Sequence, residues 1–200
     1  MSSSTKKHWW LNSKSNTAIF SFVIATGIIS LYFAFAYVEK NFIKPKPIPK
    51  VDAPQELTIP TIGVKTLIQT VGVDSNGRMG LPTNFVDVGW YKYGPRPGER
   101  GSAVIAGHLD TARDDKAVFA KLSNLKKGDD IYVLDKTGRK IHFRVTKKEV
   151  YDDTEAPLDR IFDQNVLTAR LNLITCDGVW NPKTKNYSER LVVYSERVLD

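Results

Sequence analysis

From Leu57 to the C-terminus the apolar residues come in short runs, and most of them alternate with polar residues at a period of two. This pattern constrains the fold more than any other feature, because successive side chains of a strand point to opposite faces. Ser102 to Ala106 is a compact apolar run that follows Gly98 and Gly101. Asp130 to Leu134 leads into the turn signal Asp135-Lys136-Thr137-Gly138-Arg139. Beyond it Ile141, Phe143 and Val145 alternate with His142, Arg144 and Thr146. The two runs read as a hairpin closed by a turn of a few residues containing Gly138. Arg170–Thr175 and Arg190–Val198 supply two more strands, and helical signal is confined to Ala117–Leu125 and Leu158–Gln164. Many short strands with turn punctuation predict an all-β domain, an antiparallel barrel or sandwich.

Upstream lies a different kind of sequence. Thr17 to Val38 is a run of 22 residues without a charge. At about 1.5 Å per residue a helix of that length spans roughly 30 Å, the thickness of a hydrocarbon core. Trp9, Trp10, Tyr32 and Tyr37 fall near its ends, where aromatic belts form. The reading is a single transmembrane helix. Ala34-Phe35-Ala36 offers a cleavage pattern for a signal peptide, but the apolar run is longer than a signal core, which favours a retained anchor. The run from Lys44 to Lys50 alternates proline with lysine or isoleucine, and Pro54 and Pro60 follow, which favours an extended spacer. The chain therefore divides into a basic tail (1–16), an anchor (17–38), a Pro/Lys-rich stalk (39–56) and a globular domain (57–200).

The net charge of +7 does not make the chain a nucleic-acid binder. Residues 1–50 hold seven lysines against Glu39 alone, while residues 51–200 hold 22 basic residues against 21 acidic ones. The excess flanks the apolar segment, where anionic headgroups attract lysine. The globular part has no bulk electrostatic reason to seek phosphate backbones.

Cys176 is the one cysteine, so no intramolecular disulfide forms. It ends the run Leu171–Thr175 and precedes the polar pair Asp177-Gly178, where a reactive thiol would have access and polar surroundings. Of three histidines, His8 lies in the basic tail, and His142 alternates with Ile141 and Phe143, which puts it on a solvent face. His108 instead closes the apolar run Ser102–Ala106 behind Gly107, a position that delivers an imidazole to a sheet rim. Arg190 opens the next strand after Cys176. If the two strands are antiparallel neighbours joined by a loop Asp177–Glu189, the thiol and the guanidinium face each other. Arginine does not serve as a base at neutral pH, so its roles are to position a carbonyl and stabilise an oxyanion. Surface pairing of Arg190 with Glu189 or Asp177 is the bland alternative. One Cys and scattered His build no typical zinc site, and no phosphate-binding glycine motif is present. No cofactor is expected. The acidic cluster Glu149, Asp152, Asp153 and Glu155 reads either as a calcium site or as a solvated loop.

Taken in order, Gly107-His108, Leu173-Ile174-Thr175-Cys176 and Arg190-Leu191-Val192-Val193 resemble the sortase family. The stretch Val88-Gly89-Trp90-Tyr91 through Gly94-Pro95-Arg96-Pro97-Gly98 to His108 is most similar to class F sortases, and the resemblance runs from Ile59 to Val198. It implies an eight-stranded β-barrel with short helices, preceded by one transmembrane helix. It also implies a catalytic triad of His108, Cys176 and Arg190, with Ala106, Ile174 and Thr175 binding substrate and no metal in the site. The implied substrate is a secreted protein carrying a C-terminal Leu-Pro-x-Thr-Gly-like sorting signal. The implied reaction passes through a thioacyl intermediate to an amine acceptor on a cell-wall precursor or another surface protein. The family likeness, and not the charges flanking the span, implies a cell-membrane location with the domain outside the cytoplasm. There is no Asp-Pro-aromatic lid anchor. Two other readings share the fold: a cysteine peptidase that releases surface proteins by hydrolysis, and a non-catalytic surface binding module.

Overall fold

The computed structural model describes residues 26–38, 51–111 and 116–199. They belong to two separate units, divided between Pro47 and Ile48. In the first unit, helix α1 covers 26–38, and Ile28, Leu31, Phe33 and Phe35 on it are all exposed. Among the described residues no helix is long and apolar enough to cross a membrane. Residues 17–25 of the expected span, the basic tail and the stalk up to residue 50 lie outside the described residues.

The second unit is a closed barrel of eight strands: β1 (Pro54–Ile59), β2 (Val64–Val71), β3 (Val88–Tyr91), β4 (Gly101–Ala106), β5 (Asp130–Asp135), β6 (Lys140–Asp152), β7 (Ala169–Asn181) and β8 (Asn186–Arg197). Around the barrel they run β1-β2-β3-β4-β7-β8-β6-β5, and β5 closes on β1. The period-two alternation does what it implies. Ile141, Phe143 and Val145 on β6 and Ile131 and Val133 on β5 all point into the core, where Phe143 is fully buried. The β5–β6 hairpin turns through Gly138, whose φ of 82° suits a residue without Cβ.

Strand β4 breaks the alternation, with all six residues buried. Its inner face meets the main core. Its outer face is covered by the short helix α2 (Leu158–Ile161), where Val104 packs in a second cluster with Ile161, Val192 and Tyr194. A strand covered on both sides reads as a continuous apolar run, which explains Ser102–Ala106.

Two expectations are corrected. The barrel is mixed, not antiparallel: β2 pairs with β3 and β4 with β7 in parallel, through long connections that leave the sheet and return. Strand β1 begins at Pro54, and Val51 ahead of it is buried. Asp177–Glu189 is not a loop, because β7 and β8 continue as a hairpin to Asn181 and from Asn186. The pairing register shifts between Asp177 and Trp180, where Gly178 adopts φ 79°. A bulge with glycine in the left-handed region lets the ladder resume beyond it.

Candidate active site

Strands β4 and β7 run parallel, with Ala106 opposite Ile174. Two residues past that pair stand His108 and Cys176. Both line a groove of about 1300 Å³ together with Arg190, Ala106 and Ile174. Opposite Cys176 on the other side of β7 stands Arg190 of β8, its direct cross-strand partner. Three residues distant in sequence thus converge because one strand, β7, has the His-bearing strand on one edge and the Arg-bearing strand on the other.

Gly107 has a steric reason to be glycine. A Cβ there would lie 2.6 Å from the ring of Phe119, which is fully buried beneath it. The Gly107 N–H donates to the carbonyl of Ile174 at 3.0 Å, so the backbone leading into His108 is hydrogen-bonded to β7. Thr175 tightens the same junction: its Oγ1 donates to the Gly107 carbonyl at 2.9 Å and the residue is buried. Strand alternation puts Ile174 and Cys176 toward the groove and Thr175 away from it. Thr175 is not among the groove-lining residues; it is buried and holds β7 to the histidine segment.

Nε2 of His108 lies 3.4 Å from the carbonyl of Pro82, which can only accept, and its ring is tilted against Phe85 with centroids 4.8 Å apart. His142 sits on the outer face of β6, as its alternation implies, but it is not open to water. It bonds to Asp130 at 2.8 Å, stacks on Tyr132 and keeps only 21% of its side-chain surface exposed.

The Cys176 thiol is half-buried, and burial pushes its pKa above the ordinary thiol value. Arg190 pulls it down, while the carboxylates of Asp110 and Asp153 push it up further. At neutral pH the resting group is accordingly the thiol, and its proton must leave as it attacks. Arg190 is anchored by its own hairpin. Nη1 donates to the carbonyls of Tyr187 at 3.0 Å and Glu189 at 2.7 Å, and Nη2 donates to Oδ1 of Asn186 at 2.7 Å. Its carboxylate partner is Asp153, 3.8 Å away, and not the side chain of Glu189 or Asp177.

Asp110, Asp153, Asn186 and Tyr187, all groove-lining, are contributors that sequence reasoning did not single out for this site. Asp110 had a signal, being two residues beyond His108. The others had none, because their relevance depends on contacts across the barrel. The acidic cluster is dispersed. Glu149 bonds Tyr151 and Lys147, Asp152 accepts from Thr154, and Asp153 serves Asn186 and Arg190. Among the described residues no group of three or more His, Cys, Asp or Glu is placed to hold a metal ion.

A barrel whose groove gathers one thiol, one imidazole and one strand-paired guanidinium defines a class of cysteine enzymes. Residues 57–198 match the Sortase domain, and the chain belongs to the sortase family, whose members are cysteine transpeptidases. It is 36% identical to sortase A of Listeria monocytogenes over 78 residues, 39% of this chain and 32% of that protein, so the match spans about a third of the relative's length. Among solved structures, a lid mutant of sortase A from Corynebacterium diphtheriae superposes with a TM-score of 0.57 at 25% identity, covering 82% of this chain and 78% of that one. Sortase C-1 of Actinomyces oris shares the fold, with a TM-score of 0.55 at 24% identity over 86% of this chain and 99% of that one.

Proposed function

We propose that this chain is a membrane-anchored cysteine transpeptidase that cuts a C-terminal Leu-Pro-x-Thr-Gly-like sorting signal and transfers the protein to an amine at the cell surface. The observation that carries the proposal is the shared groove, in which Cys176, His108 and Arg190 come from β7, the end of β4 and β8. Cys176 Sγ attacks the carbonyl carbon of the scissile amide as His108 takes the thiol proton. The oxyanion develops beside Arg190, whose held guanidinium needs little reorganisation to stabilise it. Collapse breaks the C–N bond, and the imidazolium protonates the departing amine. An incoming amine then attacks the thioester, gives its proton to His108 and restores the thiol.

Ala106 and Ile174, in register on adjacent strands, would flank the apolar residues of the signal. Class F membership rests on the run from Val88 to His108. Anchoring rests on the uncharged run Thr17–Val38 between lysine-rich flanks, with the barrel on the outer side of the cell membrane. The test is incubation of the protein with a Leu-Pro-x-Thr-x peptide library, with and without an amine acceptor, trapping the acyl-enzyme by mass spectrometry. A thioacyl adduct on Cys176 that is converted to an amide by added amine is the expected result. Adduct formation that drains only to acid would make it a hydrolase, and no adduct with any peptide would leave a binding module.

A further inference from the structure

Tyr187 reaches both arms of the groove. It pairs with Trp180 across the β7–β8 hairpin, and the two rings pack with centroids 5.2 Å apart. Its backbone carbonyl accepts a hydrogen bond from Nη1 of Arg190 at 3.0 Å. Its hydroxyl donates to the carboxylate of Asp110, 77 residues earlier in the chain and two residues beyond His108. One side chain therefore joins the hairpin that carries Cys176 and Arg190 to the segment that carries His108.

His108 needs such a tie. The 3.4 Å contact with Pro82 is long for an N–H···O bond, and a tilted ring contact does not fix a nitrogen within a few tenths of an ångström. Its backbone carbonyl and that of Leu109 accept from the N–H groups of Phe119 and Ala117, which secures the segment to the chain that follows it. The link between Asp110 and Tyr187 secures it to the hairpin, on the side where the thiol is. A hydrogen bond to a carboxylate is stronger than one between neutral partners.

We propose that Tyr187 is a positioning residue that, through Asp110, fixes the His108 segment against the Cys176–Arg190 hairpin and so sets where the imidazole delivers its proton. This rests on the cysteine acyl-transfer reading above. In that chemistry an amide nitrogen leaves only when protonated, whereas a thiolate leaves from a thioester unaided. Misplacing His108 should therefore slow amide cleavage, which needs it as base toward the thiol and as acid toward the amine, more than thioester cleavage, which needs only the first.

The test compares Tyr187→Phe, Asp110→Asn and the double variant on the best amide peptide of the wild-type chain and on the thioester of the same acyl sequence. Tyr187→Phe keeps the ring packed on Trp180, and Asp110→Asn keeps the side-chain shape. We expect each single variant to lose about tenfold or more in kcat on the amide, with KM within about twofold. Thioester turnover, which still needs the thiol proton removed, should fall by at least about threefold less than amide turnover. The double variant should be no worse than Tyr187→Phe alone, because Tyr187→Phe already removes the link that Asp110→Asn weakens. Amide turnover near wild type in Tyr187→Phe would overturn the proposal. So would equal losses on amide and thioester, the mark of general structural damage. Additive losses would overturn it as well, since they would mean two independent roles. If the wild-type chain turns over neither substrate, the acyl-transfer reading itself fails, an outcome distinct from all of these.

Discussion

The barrel carries two histidines, and they are held in opposite ways. On the β5–β6 wall, His142 is bonded to Asp130 at 2.8 Å, stacked on Tyr132 and flanked by Arg144, which also bonds Asp130. At the groove, His108 has a 3.4 Å contact and a tilted phenyl ring. Judged by hydrogen bonding, His142 forms an Asp–His pair and His108 does not. His142 has no thiol or other nucleophile beside it, and its chemistry is used up in local contacts. At His108 the neighbours hold the backbone on either side and leave the ring lightly bound. A well-satisfied polar cluster stabilises its wall; a site needs groups held in place yet unspent.

The same contrast separates the carboxylates. Asp135, at the β5–β6 turn, is buried and accepts from the N–H groups of Asp52, Thr137 and Arg139 and from the Thr137 hydroxyl. Burial opposes its ionisation, but the four donors outweigh that and hold its pKa down at about 2. Asp110 and Asp153 instead act outward, on Tyr187 and Arg190, and their charge is felt at the Cys176 thiol.

The most severe way to break the contrast is Cys176→Ala. It should abolish turnover and acyl-enzyme formation while leaving thermal unfolding unchanged. Residual cleavage within about tenfold of wild type, only ~1.4 kcal/mol in barrier terms, would refute the nucleophile. Next, His108→Ala should lower kcat/KM on amide peptides by about 10²–10⁴, the usual range for a general acid–base group, measured by steady-state kinetics.

Arg190→Lys tests whether the guanidinium acts by charge or by direction. Lysine keeps the charge but loses the planar fork that carbonyls of Tyr187 and Glu189 hold in place. A loss of two to three orders of magnitude, larger in kcat than in KM, is expected. A Lys variant near wild type beside an inactive Ala variant would show that charge suffices.

On the other wall the effects should be on stability. The lowered pKa of Asp135 means that its carboxylate stabilises the fold above its ordinary pKa of 3.8 and that this contribution is lost as pH falls toward about 2. Asp135→Asn should cost about 2 kcal/mol at pH 7 in denaturant titrations, and the wild-type advantage should vanish near pH 2. The smallest effect should be that of His142→Ala on peptide cleavage, which should stay within about twofold of wild type. Equal catalytic effects at His142 and His108 would dissolve the contrast between the two walls.

Much of this was legible in the chain. Alternation at Ile141, Phe143 and Val145 and the Gly138 turn are local facts, so an all-β domain could be read directly. The bond from Thr175 to the Gly107 carbonyl was not legible, because it depends on the parallel pairing of β4 with β7. The hairpin beyond Cys176 was missed because its continuation depends on a bulge at Gly178, a backbone conformation with no periodic signature.

What the sequence by itself determined is therefore the inventory: short strands, their inward faces, and the order of one histidine, one cysteine and one arginine along them. The tertiary structure decided the neighbours. It placed β4 and β8 on opposite edges of β7, which brings His108 and Arg190 to one thiol, and it set Tyr187 against Asp110 across 77 residues of chain. The physical reason is that periodicity is a property of a single strand, whereas strand order and cross-barrel contacts depend on how connections close the sheet, and no local pattern records that closure.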